Sequence, residues 1–250
     1  MINLLEMKKY LLFVIVFLCR ILCFSQPSTY ININTPAPIC DSGNCIPLIA
    51  NFLQTYSTSA NNYTVSSILY NPEIYAYQAA PISGIINAND DDRWTNVIPL
   101  PFSFCFYGNI YKYAMIGTNG ILSFNISPTI FPGGIPGGVH KPGDFCVYSF
   151  GPANLPQTSF SAKNAIFGVY QDIDIRAISN GGNIPDANVN VQNANYRVVG
   201  VAPNRRLIVN FNEIPNYNAP TPLQTSQIII YETTNVVDVN VKRRTIGPSS

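Results

Sequence analysis

Apolar and polar positions alternate with a period of two through much of the chain, and no window of useful length repeats at helical spacing. The clearest case is Val97–Phe106, where Phe102, Phe104 and Phe106 fall on one face and predict a strand that buries an aromatic row. Pro99 and Pro101 confine the start of that strand to a sheet edge or a bulge. Tyr107-Gly108-Asn109 turns the chain into Tyr111–Ile116. Asn119-Gly120, a pair that tolerates positive φ, turns it again into Ile121–Asn125. These strands form a meander with Asn119 and Gly120 as its structural turn.

Further strands are predicted on either side. Ala165–Ile175 alternates Ile173 and Ile175 with Asp172 and Asp174. Tyr196–Val201 pairs with Leu207–Phe211, and Gln227–Tyr231 pairs with Val236–Val241, where Val237, Val239 and Val241 face the core and Asp238, Asn240 and Lys242 face water. Ile46–Phe52 and Tyr63–Tyr70 are further strand candidates. Pro128–Gly143 and Ile178–Asn195, rich in Gly, Pro and Asn, are loops, and a Pro/Asn loop precedes Gln227. Many short strands with turn signals every 8–12 residues give the fold class: all-β, an antiparallel β-sandwich of jelly-roll type with long Gly/Pro-rich loops.

Composition narrows the setting. Only 11% of the 250 residues are charged, so Asn, Thr, Ser and Tyr wet the surface. Lys8-Lys9, the apolar run Tyr10–Leu18 and Cys23-Phe24-Ser25-Gln26 read as a secretory signal peptide cut after Ser25. The mature chain then carries 11 basic and 12 acidic side chains, a balance that argues against nucleic acid, and no membrane span is expected after cleavage. The domain organisation is residues 1–25 as leader, 26–60 as an N-terminal edge segment, 61–244 as the sandwich and 245–250 as a tail. Four cysteines remain in the exported chain, and three connectivities are open to them. The favoured one joins Cys40 to Cys45 across a tight turn and Cys105 to Cys146 across the long loop. Loop-closure entropy gives about 4 kcal/mol for the second bridge and about 2 for the first.

Ile116–Phe124 resembles the Thr-Asn-Gly hairpin of nidogen-like (NIDO-like) extracellular domains. Phe167–Arg176 resembles their aromatic strand with Asp-x-Asp, and Gln227–Tyr231 with Val236–Val241 resembles their terminal hairpin. Val97–Gly108 and the leader ending Phe24-Ser25-Gln26 are also similar to the N-terminal region of large secreted surface proteins of Bacteroidetes, cargo of type IX secretion tied to gliding motility and adhesion. The resemblance implies an extracellular, non-catalytic adhesion or ligand-binding module, secreted or on the cell surface. Further domains in the same polypeptide are expected if the chain is a fragment.

Candidate chemistry is sparse. Asp172 and Asp174, two residues apart, could share a calcium ion, or pair with Arg176 or Arg197; Asp90-Asp91-Asp92 reads as a solvated turn or a second calcium site. No other cofactor is expected. His140, in the Gly/Pro loop, reads as a surface residue with no serine elbow beside it, so no enzyme is expected. Trp94, Tyr107, Tyr148 and Tyr217 are candidate binding aromatics that could stack on an extracellular glycan or engage a surface protein, or simply pack within the fold. The alternative function is a carbohydrate-binding domain of a secreted polysaccharide-degrading enzyme, with a small glycosidase behind it.

Overall fold

The computed structural model describes residues 62–75, 84–86, 91–148 and 162–244, together with the backbone of two strands, β1 (Pro27–Asn32) and β2 (Asn51–Tyr56). The predicted leader, Cys40, Cys45 and the tail lie outside the described residues. The chain divides into two units, Met1–Tyr63 and Thr64–Ser250. In the first, β1 and β2 form an antiparallel pair from Pro27↔Tyr56 to Asn32↔Asn51. The expected strand Ile46–Phe52 thus overlaps β2 at Asn51 and Phe52, and its earlier residues lie outside the described ones.

The second unit holds two antiparallel sheets, as the alternation predicts. One is the meander β4 (Ile98–Phe106), β5 (Asn109–Gly117) and β6 (Ile121–Ser123), with β7 (Ala165–Phe167) added at its far edge. The other has the order β11-β10-β9-β8-β3, from β3 (Gly84–Ile86), β8 (Asn193–Val199), β9 (Arg206–Asn216), β10 (Ala219–Tyr231) and β11 (Val237–Arg243). β4 is an edge strand and its register shifts between Pro99 and Phe104, so its prolines sit where no regular ladder needs their missing N–H. Phe102, Phe104 and Phe106 are buried, and Phe124 packs within 5.5 Å of the Phe104 and Phe106 ring centres. Tyr111 stacks on Phe124 at 4.7 Å. From the other sheet, Ile228 lies 3.4 Å from where a Cβ on Gly168 would stand, which marks the face carrying Ile228, Val209 and Phe211 as the inner one.

Four elements depart from the sequence pattern. Tyr63–Tyr70 makes no strand; it has no regular secondary structure and is exposed from Thr64 on. The strand expected over Ala165–Ile175 stops at Phe167. The Gly168 N–H leaves the ladder to bond the Gly120 carbonyl, and beyond it Ile173, Asp174 and Ile175 are all buried, so the alternation fails. The expected Pro/Asn loop is instead the tip of the long β9–β10 hairpin, with Pro220 and Pro222 at an exposed end where the register shifts. In β11 the valines stand on the inner face, opposite Ile228 and Ser226 as the alternation predicts, but at this edge strand Val239 and Val241 are exposed while Asn240, on the other face, is buried.

Candidate functional site

The β5–β6 connection is a three-residue loop. Gly117 pairs with Ile121, the Gly120 N–H bonds the Gly117 carbonyl, and only Gly120 has positive φ, at +85°. Three-residue hairpins place glycine in the left-handed region in this way, so the freedom expected of both Asn119 and Gly120 is needed at Gly120 alone. A Cβ there would stand 2.5 Å from the Val169 carbonyl oxygen.

Asn119 is released to point inward, fully buried. Its Nδ2 donates to Asp92 Oδ1 at 2.7 Å and to the Cys146 carbonyl at 3.2 Å, and its Oδ1 accepts from the Ile173 N–H at 3.2 Å. Thr118 assists: its N–H bonds the Arg93 carbonyl, and its Oγ1 accepts from the Arg93 N–H. One turn therefore ties three segments, 91–94, 146 and 173, that are separated by tens of residues.

Those segments bring together the two acidic runs that the sequence left apart. Arg176 is the hub. Its Nε and Nη2 reach Asp174 Oδ1 and Oδ2 at 2.9 Å each, and Nη2 also reaches Asp91 Oδ2 at 3.3 Å. Asp174 is thereby clamped in the interior, the arginine pairing being one of the two roles expected of it. Asp91 is pushed up to about 7, by burial first and then by the charges of Asp174 and Asp92. Burial, with Asp92 and Asp174 nearby, raises Asp172 to about 6. Among the described residues no group of three or more His, Cys, Asp or Glu side chains is arranged to hold a metal ion.

The aromatic candidates separate. Trp94 is a core residue, 2% exposed, stacked on His140 at 4.1 Å; it is not a binding aromatic. His140 is correspondingly not a surface residue. It is 4% exposed, and burial lowers it to about 4 against a weak opposing pull from Asp144. Tyr107 is exposed at the β4–β5 turn against Phe106, and Tyr217 is exposed at the β9–β10 turn, its N–H on the Asp172 carbonyl. Tyr148, 42% exposed, meets Phe145, 51% exposed, edge to face at 6.0 Å. Phe145 was missed by sequence reasoning, since one phenylalanine in a Gly/Pro loop carries no periodic signal. Phe145 forms a backbone bridge with Arg93, and between the two aromatics the Cys146 N–H bonds the Asp92 carbonyl at 2.7 Å, so the backbone that carries the aromatic pair is fixed to the acidic segment.

No bridge joins Cys105 to Cys146, which corrects the expected pairing. The Cys105 N–H, in β4, bonds Asn235 Oδ1, whereas Cys146 packs against Gly117 near Trp94 and donates its thiol to the Val147 carbonyl. What holds the long loop is the network around Asn119, and burial pushes the Cys146 thiol up to about 12.

A family model described as NIDO related matches residues 55–250. The chain belongs to this NIDO-related family. The match spans both sheets of the second unit and includes the Asn119 turn and the acidic corner. No curated protein and no solved structure matches the chain. NIDO-like domains are extracellular, and among the described residues no helix is long and apolar enough to cross a membrane.

Proposed function

We propose that this NIDO-related chain is a non-catalytic adhesion or ligand-binding module of a secreted or cell-surface protein, and that it binds through the face formed by Phe145 and Tyr148 beside the acidic corner. The observation that carries the reading is this exposed edge-to-face aromatic pair, held on a loop whose backbone is fixed to Asp92 and, through Cys146, to Asn119. Two adjacent exposed rings on a rigid loop offer a stacking platform, and the neighbouring carboxylates offer acceptors for hydroxyl or ammonium groups.

That combination favours an extracellular glycan over a surface protein as the ligand, because sugar rings present an apolar C–H face and hydroxyls together. A glycan array with the native chain and with the Phe145→Ala/Tyr148→Ala variant tests it. Selective glycan binding lost in the variant, at unchanged melting temperature, is the expected result. Binding indifferent to both substitutions, or absent across the array, overturns the site. Calcium is examined on the same samples: a melting temperature unmoved by EDTA and by added calcium means that the carboxylates act without metal.

A further inference from the structure

The outer face of the five-stranded sheet is buried and carries a row of amides beside Ile208 and Ile229. Asn195, Asn210, Gln227 and Asn240 stand opposite one another across β8, β9, β10 and β11. Three of these side chains form a relay: Asn210 Nδ2 donates to Asn195 Oδ1 at 2.9 Å, and Gln227 Nε2 donates to Asn210 Oδ1 at 2.7 Å. Across Gln227 runs the chain at Glu73. The Glu73 N–H donates to Gln227 Oε1 and Gln227 Nε2 donates to the Glu73 carbonyl, both at 3.0 Å. Gln227 therefore offers the donor and acceptor of a neighbouring strand's peptide group, and the relay fixes which way its amide faces.

The flanks of this floor are basic. Arg206 forms an ion pair with the Glu73 carboxylate, and Arg197 Nη2 donates to the Ile74 carbonyl. Lys242 Nζ lies 5.9 Å from the Tyr75 ring centre. Pro72 fixes its own φ and disfavours helical geometry at Asn71, which biases the segment before Glu73 toward an extended path. Nothing in it forms a ladder, and Ile74 and the residues from Thr64 to Asn71 are exposed. A segment held through side chains, with no ladder of its own, can open locally without breaking the sheet it lies on.

We propose that this face is a recognition groove for an extended acidic peptide, and that Asn71–Tyr75 is its intramolecular occupant. The ligand in trans is a peptide with an acidic residue followed by an aliphatic and an aromatic one. Its main chain is read by Gln227, its carboxylate by Arg206, its next carbonyl by Arg197 and its ring by Lys242. The site is independent of Phe145 and Tyr148, so neither proposal depends on the other.

The test uses the full chain and a labelled, capped peptide with the sequence of residues 70–75, followed by fluorescence anisotropy. The Glu73→Ala chain, with its own segment weakened, is expected to bind the peptide at least about tenfold more tightly than the native chain, in which the tethered segment competes. Adding Gln227→Leu to that chain, or replacing the peptide's glutamate by lysine, is expected to abolish binding. Should Glu73→Ala not fold by near-ultraviolet circular dichroism, Glu73→Gln keeps the backbone clasp, removes the charge and is read in the same way. A folded variant that does not bind the peptide, or that binds the lysine peptide equally, overturns the groove and leaves the segment as packing.

Discussion

His140 and Trp94 are the chain's single histidine and single tryptophan, and they are stacked on each other. The protonation of one can therefore be read through the other. In the fold His140 is held neutral down to about pH 4 because its ring is buried against Trp94, while in the unfolded chain it protonates near 6.5. Between those values the unfolded chain takes up a proton that the folded chain refuses. Stability is then lost as pH falls from about 6.5 and levels off below about 4, with a gap worth about 3 kcal/mol. Asp91 and Asp172 act in the opposite sense. Their carboxyls keep a proton in the fold up to about 7 and about 6, so below those values they contribute stability that is lost on alkalinisation.

The native profile mixes these effects, and His140→Phe separates them by keeping a ring on Trp94 without a titration. Urea denaturation of both proteins from pH 8 to 3.5 is the assay. The stability difference between native and variant should be flat above pH 7, and between pH 6.5 and 4 it should shift against the native chain by about 3 kcal/mol. Independently, Trp94 emission in the native fold should be quenched, as an imidazolium forms against the indole, with a midpoint near 4. A pH-independent difference, or a quenching midpoint near 6.5, refutes the burial argument.

Asn119→Ala removes the partner of Asp92, of the Cys146 carbonyl and of the Ile173 N–H inside the fold; a loss of about 3 kcal/mol in denaturant titration is expected, whereas an effect below about 1 would mean the turn is not the tie described. Gly120→Ala forces a side chain into positive φ and into the Val169 carbonyl, and should cost about 2 kcal/mol or more by the same measure. Asp91→Asn should flatten the part of the stability profile that falls as pH rises from about 4 to 7, and an unchanged slope would assign that fall elsewhere. The Cys146 thiol should resist alkylation in the native chain and react once urea unfolds it; a native mass two units low with no thiol titratable at Cys146 would instead restore the disulfide.

The sequence is legible where a strand has one wet face and one dry one. Phe102, Phe104 and Phe106 in β4 obey the period of two because their face packs on Phe124 while Ser103, on the other face, is exposed. The same rule fails in β11. There the faces follow the pattern but burial does not: Asn240 joins the buried amide row on the outer face, where Glu73 reaches Gln227 from 154 residues away in sequence, and Val239 and Val241 on the inner face stay exposed at the sheet edge. It fails again at Asp172 and Asp174, where the pattern assumes that a ladder continues. The chain instead leaves the sheet at Gly168, and Asp174 becomes an interior partner of Arg176.

The proposed site follows the same division. Tyr148 is visible as an aromatic in a loop, but its pairing with Phe145, the withdrawal of Trp94 into the core and the meeting of Asp91 with Asp174 all depend on Asn119 gathering distant segments. Asn119 could be read as a turn residue and not as a tie, because its side-chain partners lie 27 to 54 residues away. Local pattern reports which side of a strand is dry. It does not report whether that side is dry because of apolar neighbours or because hydrogen-bonded amides have been covered, and in this fold the amide row of the outer sheet face and the Asn119 junction are both of the second kind.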